Sequence, residues 1–270
     1  MNKYLRLFRI GNCLMGAIGV LIACFIAAGF DLGDHAIKVI IGCVLVICFE
    51  AGGNALNDYV DYEIDMTAHP DRPIPCGEIS RKTAQICGIA GLAVAVILSF
   101  LISFDTVPLV ILCAILMFAY ETVLKQRGFV GNLTIAVLTG LIFLFGGSII
   151  GDYSQVWTLA LLATLVSIGR EIAKDIEDVE SDEGSRKTLP MIIGRKKAAT
   201  LAAAFFVIGP ILSFIPLLDN TFGILYCSVI VADIIFIYCA TIVFKDAHKA
   251  EKLAKVAMFA ALISFVLGVI

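Results

Sequence analysis

Nine apolar runs follow one another along the 270-residue chain, at 10–29, 37–57, 83–103, 107–124, 130–150, 155–173, 197–217, 221–243 and 253–270. Each approaches the ~20 residues that a helix needs to cross the hydrocarbon of a bilayer. Open strands would leave backbone polar groups unpaired in lipid, so the pattern predicts nine transmembrane helices. The joins at 104–106 and 218–220 are the tightest. Pro108 suits a helix start, whereas Pro210 and Pro216 are placed to kink or end the seventh run. The predicted fold is therefore all-α: a polytopic membrane protein, read as one domain over residues 1–270.

Composition supports this class. Hydrophobic residues make up 60% of the chain, mean hydropathy is +0.98 and charged residues are 16%, against about 25% in a soluble domain. That much apolar surface excludes a water-solvated fold. No cleavable signal peptide is expected, because the first apolar run lacks a small-x-small site and comparable runs follow it. Eight of the nine cysteines lie in apolar runs and Cys76 lies in a polar loop. There they act as small apolar residues, and no zinc, iron–sulfur or disulfide framework is expected.

The net charge of −3 says little, and no nucleic-acid partner is expected, but the distribution of charge says more. With nine crossings, nineteen of the twenty Lys and Arg fall on one face, leaving only Lys38 on the other. The positive-inside rule makes the rich face cytoplasmic. A multi-pass protein of the cell membrane is expected, with its N-terminus inside and its C-terminus outside.

Two acidic stretches share that face, NALNDYVDYEID (54–65) and GREIAKDIEDVESD (169–182), and both contain D-x-x-D-x-x-x-D. If each extends its membrane helix, Asp58, Asp61 and Asp65 form one stripe and Asp175, Asp178 and Asp182 its counterpart. Each stripe would cover roughly 10 Å of helix axis. Like charges this close repel, and a shared cation relieves them. An oxygen-only ligand set suits Mg2+, which often takes its remaining ligands from phosphate. Arg72, Lys125, Arg170, Lys174, Arg186 and Lys187 stand near the acids or on the same face and suit phosphate oxygens. An apolar cavity behind such a site fits a membrane substrate with a hydrocarbon tail and a phosphate head.

The bland alternative is a solvated border of mixed charge. One acidic motif would leave it standing, but two matched motifs on one face weigh against it. Glu50 lies about two turns inside Asp58, where an ionisable group is a functional candidate. Asp233 suits a structural hydrogen bond equally well. His35, His69 and His248 read as surface residues. A secondary transporter is the rival class, yet transporters hold their key charges near the membrane centre in broken helices.

The motifs resemble those of the UbiA superfamily of intramembrane prenyltransferases, over essentially the whole chain. Asn57, Asp58, Asp61 and Asp65 match its N-D-x-x-D-x-x-x-D motif, and RPIPCGEIS (72–80) matches the loop that follows. Asp175, Asp178 and Asp182 match the second motif, preceded by REIAKD (170–175) and followed by RKTLP (186–190). Tyr120 and Lys125 resemble the family's Y…K element. His69 departs from the Asn common in relatives, with no consequence for the site.

The resemblance implies nine helices around a central cavity and Mg2+-dependent transfer of an isoprenyl group from its diphosphate. Asp58, Asp61, Asp175 and Asp178 are expected nearest the metal and diphosphate, with Asp65 and Asp182 as further metal ligands. Arg72 and Lys125 are the first choices to clamp diphosphate, followed by Lys174 and Arg186, and Asn57 and Arg170 join the substrate-binding set. Arg9 and Asn12 are expected to position the acceptor's phosphate. The branch most resembled is archaeal, on LRLFRIGNCLMG (5–16), GGNALNDYVDYEIDMTAHPDRPIPCGEIS (52–80), KQRGFVGN (125–132) and REIAKDIEDVESDEGSRKTLP (170–190). It implies geranylgeranyl diphosphate as donor and geranylgeranylglyceryl phosphate as acceptor, joined by the second ether bond of archaeal membrane lipids. An aromatic quinone precursor remains the alternative acceptor.

Overall fold

The computed structural model describes residues 2–180 and 187–270. Among these the chain is helical throughout, with nine long helices: α1 (Ile10–Ala28), α2 (Ala36–Val60), α3 (Arg81–Ser99), α4 (Thr106–Thr122), α5 (Phe129–Ile150), α6 (Val156–Glu177), α7 (Arg195–Ser213), α8 (Val229–Ile242) and α9 (Ala247–Val269). Seven segments are long and apolar enough to cross a membrane. The first of them, Ile10–Val60, contains both α1 and α2, and α4 is apolar but only 17 residues long. The fold is thus an all-α, polytopic membrane bundle.

Several helix limits differ from those the apolar runs suggest. α9 begins at Ala247 rather than 253, because Asp246 caps it by accepting a hydrogen bond from Lys249 N at 2.8 Å. Its first two turns carry the charged residues that precede the ninth apolar run. The seventh run divides: α7 continues through Pro210 to Ser213, and a short helix, Ile215–Leu218, holds Pro216 in its first turn. The eighth run also divides, into a 3-10 turn at Ile224–Ser228 and then α8. The fully buried Tyr226 fixes that turn by donating its hydroxyl to Ser213 O at 3.0 Å.

Among the described residues, the two largest buried clusters hold the two halves of the bundle. One joins α1, α2, α3 and α5 through Val20, Leu45, Ala95 and Ile149. The other joins α6 to α9 through Ile172, Phe206, Phe236 and Ala254. α1 packs on α5, and α5 on α6, so the halves meet along α5. α2 and α3 touch backbone to backbone, since a Cβ on Gly91 would lie 2.7 Å from Cys48 O. Small residues permit this close approach, which drives association where lipid supplies no hydrophobic force. All nine cysteines are free, three of them buried and Cys76 exposed in its loop.

Candidate active site

In both acidic motifs the long helix ends at the second aspartate. α2 ends at Val60 and Asp61 caps it with φ −82° and ψ 7°. α6 ends at Glu177 and Asp178 caps it with φ −83° and ψ 4°. The expectation of one continuous helical stripe is therefore corrected. Asp58 closes α2, Asp61 sits at the corner, and Asp65 lies on a separate short helix, Tyr62–Ala68. The corner turns Asp65 inward, so that Asp58 and Asp65 are both buried and share one partner.

That partner is Arg72. Its Nη1 lies 2.6 Å from Asp65 Oδ2 and 3.6 Å from Asp58 Oδ1. The loop carrying it is anchored by Ile74 and Ile79, buried against Leu7, Ala55 and Ala84. Arg6 clasps the same loop through Glu78 at 3.0 Å and through the Asp71 carbonyl. Arg9 approaches Asp58 from the other side at 2.6 Å, and also donates to Asn57 Oδ1 at 3.0 Å and Asn54 Oδ1 at 3.3 Å. Its backbone is left-handed, φ 49° and ψ 57°, where non-glycine residues are uncommon. The cost is met at a point where one guanidinium gathers three side chains of α2.

Lys125 links the two motifs. Its Nζ lies 2.6 Å from Asp61 Oδ1 and 3.0 Å from Glu121 Oε2. The same lysine lines a small cavity of about 30 Å³ with Tyr120, Asn132, Lys174, Asp175 and Asp178. Asn132 donates to Asp175 Oδ2 at 3.0 Å. The loop after α4 is joined to the chain beyond the second motif by a bridge between Arg127 and Lys187. Gly128 makes this possible: its φ is +55°, and a Cβ there would lie 3.3 Å from Lys187 O.

Residues 16–263 match the profile of the UbiA prenyltransferase family. The chain belongs to the UbiA prenyltransferase family. It is 41% identical over 275 residues to the digeranylgeranylglyceryl phosphate synthase of Methanosphaera stadtmanae, covering 99% of both chains. It is 37% identical over 278 residues to the synthase of the same name from Thermococcus kodakarensis, covering 99% of this chain and 98% of the relative. A solved structure described as giving structural and mechanistic insights into digeranylgeranylglyceryl phosphate synthase in membranes superposes with a TM-score of 0.88. It is 33% identical, with 99% of this chain and 97% of that one covered. A UbiA homolog from Archaeoglobus fulgidus, bound to GPP and Mg2+, shares the fold at a TM-score of 0.71 and 18% identity, over 98% of this chain and 99% of that one.

The candidate site gathers Arg9, Asn57, Asp58, Asp61, Asp65, Arg72 and Lys125 into one contact network. Lys174, Asp175 and Asp178 face it across the small cavity. Asp182 and Arg186 lie outside the described residues. Arg170 is engaged elsewhere: it pairs with Glu171 and reaches Glu251 at 2.9 Å, tying α6 to α9. Asn12 is exposed on the first turn of α1. Glu50 lines an apolar cavity of about 210 Å³ deeper between α2, α4 and α5.

Two residues escaped the sequence reading. Glu121 is buried and holds both Lys125 and Asn57, the latter at 3.0 Å. The i,i+4 spacing from Glu121 to Lys125 was the available signal. Asn132, on the first turn of α5, had none, because its contact with Asp175 spans 43 positions.

The donor set fits a hard divalent cation, being carboxylate and amide oxygens. Asn132 Oδ1 and Thr188 Oγ1, which line the small cavity, are buried and lack hydrogen-bond partners among the described residues. Buried polar atoms of this kind await a ligand or water. Among the described residues no three acids already converge at metal-binding distance. In this structure Arg9, Arg72 and Lys125 neutralise the first motif instead.

Proposed function

We propose that the chain transfers a geranylgeranyl group from geranylgeranyl diphosphate to the sn-2 hydroxyl of 3-O-geranylgeranylglyceryl phosphate, releasing diphosphate. The observation that carries this is Lys125, which touches Asp61 while lining the cavity of Asp175 and Asp178. One cation between two acidic motifs marks a place where a diphosphate meets both walls. The synthases at 41% and 37% identity support the acceptor.

Asp58, Asp61, Asp65, Asp175 and Asp178, together with Asp182, would hold Mg2+. When bound it would supply positive charge to the diphosphate oxygens as the allylic C–O bond weakens. Arg72, Lys125 and Lys174 bind the remaining diphosphate charge, and Arg186 joins them in this reading. Arg9 and Asn12 stand at the start of α1 to take the acceptor's phosphate. The apolar helices beneath keep water from the allyl group while the acceptor hydroxyl attacks C1. Arg170 serves this site indirectly, by fixing α6 against α9.

The reading extends to topology. α1 and α2 each cross the bilayer, as does the short α4, giving nine crossings in one domain over 1–270. The basic residues put both motifs and the N-terminus in the cytoplasm and the C-terminus outside. The test is an acceptor panel with radiolabelled geranylgeranyl diphosphate in detergent. Label is expected in a product that keeps the glyceryl phosphate. Transfer to 4-hydroxybenzoate instead would assign an aromatic acceptor, and no release of diphosphate with any acceptor would end the prenyltransferase reading.

A further inference from the structure

Four helix ends converge beside the second acidic motif: the C-terminus of α6, the N-terminus of α7, the end of α8 and the start of α9. Between them lies a second polar cavity, of about 600 Å³. It is separate from the active site, because Asp175 and Asp178 face one side of α6 while Ile176 and Glu177 face the other. Arg195, Lys196 and Lys245 line it. Its carboxylates already have donors. Glu177 pairs with His248, and Asp246 accepts Lys249 N at 2.8 Å. Arg195 reaches outward to Glu180 at 3.6 Å, a carboxylate that is 89% exposed. Among the described residues no carboxylate lies within 4.0 Å of the ammonium group of Lys196 or Lys245.

The rest of the cavity is apolar. Ile176, Ala199 and Val243 are buried beneath the cations, and Phe244 is exposed at the rim. Exposed cations above buried apolar residues, at the border of a membrane bundle, match the chemistry of an acidic lipid. A phosphate sits among the cations and the glycerol and first methylenes lie on the apolar part. Basic pockets between membrane helices bind anionic headgroups in this way. Inorganic phosphate would use the cations and leave the apolar floor wet.

We propose that this cavity binds the phosphate headgroup of an anionic glycerolipid of the surrounding membrane. A lipid held there braces the end of α6, which carries Asp175 and Asp178, against α7 and α9. The proposal does not depend on which acceptor the active site uses.

The test is lipid binding by the purified full-length protein in uncharged detergent micelles doped with phosphatidylglycerol. Phosphatidylcholine and soluble glycerol 3-phosphate serve as comparison ligands. A Lys or Arg beside an anionic headgroup is worth about fivefold in affinity, and one more than a Debye length of about 10 Å away is largely screened. The Lys196→Gln/Lys245→Gln variant should therefore weaken phosphatidylglycerol binding by at least ~10-fold. Lys82→Gln/Lys252→Gln removes two exposed charges outside the cavity and should stay within about twofold. Should the double variant fail to fold, Lys245→Gln alone, beyond the end of α8, carries the test at about threefold or more. Unchanged binding in the cavity variants, or an equal loss in the control pair, overturns the proposal. Glycerol 3-phosphate binding as tightly as phosphatidylglycerol also overturns it, by making this a site for free phosphate.

Discussion

Lys125 Nζ lies 2.6 Å from Asp61 Oδ1, and only 7% of the lysine side chain is exposed. This contact spans the two halves of the candidate site, because Lys125 also lines the cavity of Asp175 and Asp178. A buried cation with two carboxylates can answer to structure, to substrate, or to both. Glu121 separates these roles, since it is equally buried and touches Lys125 at 3.0 Å.

Lys125→Met is expected to lower kcat/KM by ~100-fold or more, the usual scale for losing a placed electrostatic group. It should also destabilise the protein, because removing one partner of a buried ion pair costs roughly 3–5 kcal/mol. Adding Glu121→Gln should recover much of the thermal midpoint but not the turnover. Recovery of both in the double variant would show that Lys125 serves only the fold.

Asp58→Asn and Asp175→Asn should each cut turnover by at least ~100-fold, with the side-chain size unchanged. Diphosphate release at saturating Mg2+ is the measurement. Near-wild-type rates in both variants would refute a site with two acidic walls. Activity that persists in excess EDTA would refute the metal.

Arg9 is the candidate for the acceptor's phosphate. In the wild type, removing that phosphate while keeping tail and hydroxyl should lower kcat/KM by at least ~100-fold, about 2.7 kcal/mol. In Arg9→Ala the penalty for dephosphorylation should shrink to about tenfold or less, since the contact is already gone. The KM for geranylgeranyl diphosphate should move much less. An undiminished penalty in Arg9→Ala would assign the acceptor phosphate to other bases.

Topology can be read by labelling single cysteines in a background lacking the nine native ones. Ser80→Cys and Lys197→Cys, both exposed and each beside one motif, should react from the cytoplasmic side. Asp152→Cys, exposed in the turn between α5 and α6, should react only from outside. Labelling of Ser80→Cys and Lys197→Cys from opposite sides would falsify a shared cavity.

The sequence alone carried the fold class, the helix order and most of the chemistry. Hydropathy is local, since each apolar run reports its own preference for lipid whatever packs against it. The matched D-x-x-D-x-x-x-D spacings are local too, and so the acids could be named before any fold was known. The tertiary structure decided the rest. It ended both long helices at the second aspartate, Asp61 and Asp178, and bent the first motif at Asp61, so that Asp65 turns back toward Arg72 instead of continuing a helical stripe. It moved Arg170 to Glu171 and Glu251, and brought in Glu121 and Asn132. Apart from the i,i+4 pairing of Glu121 with Lys125, none of these could be read from spacing. A side chain's partner across 43 or 64 positions depends on how helices pack, and membrane packing turns on small residues such as Gly91, which set how closely two backbones approach.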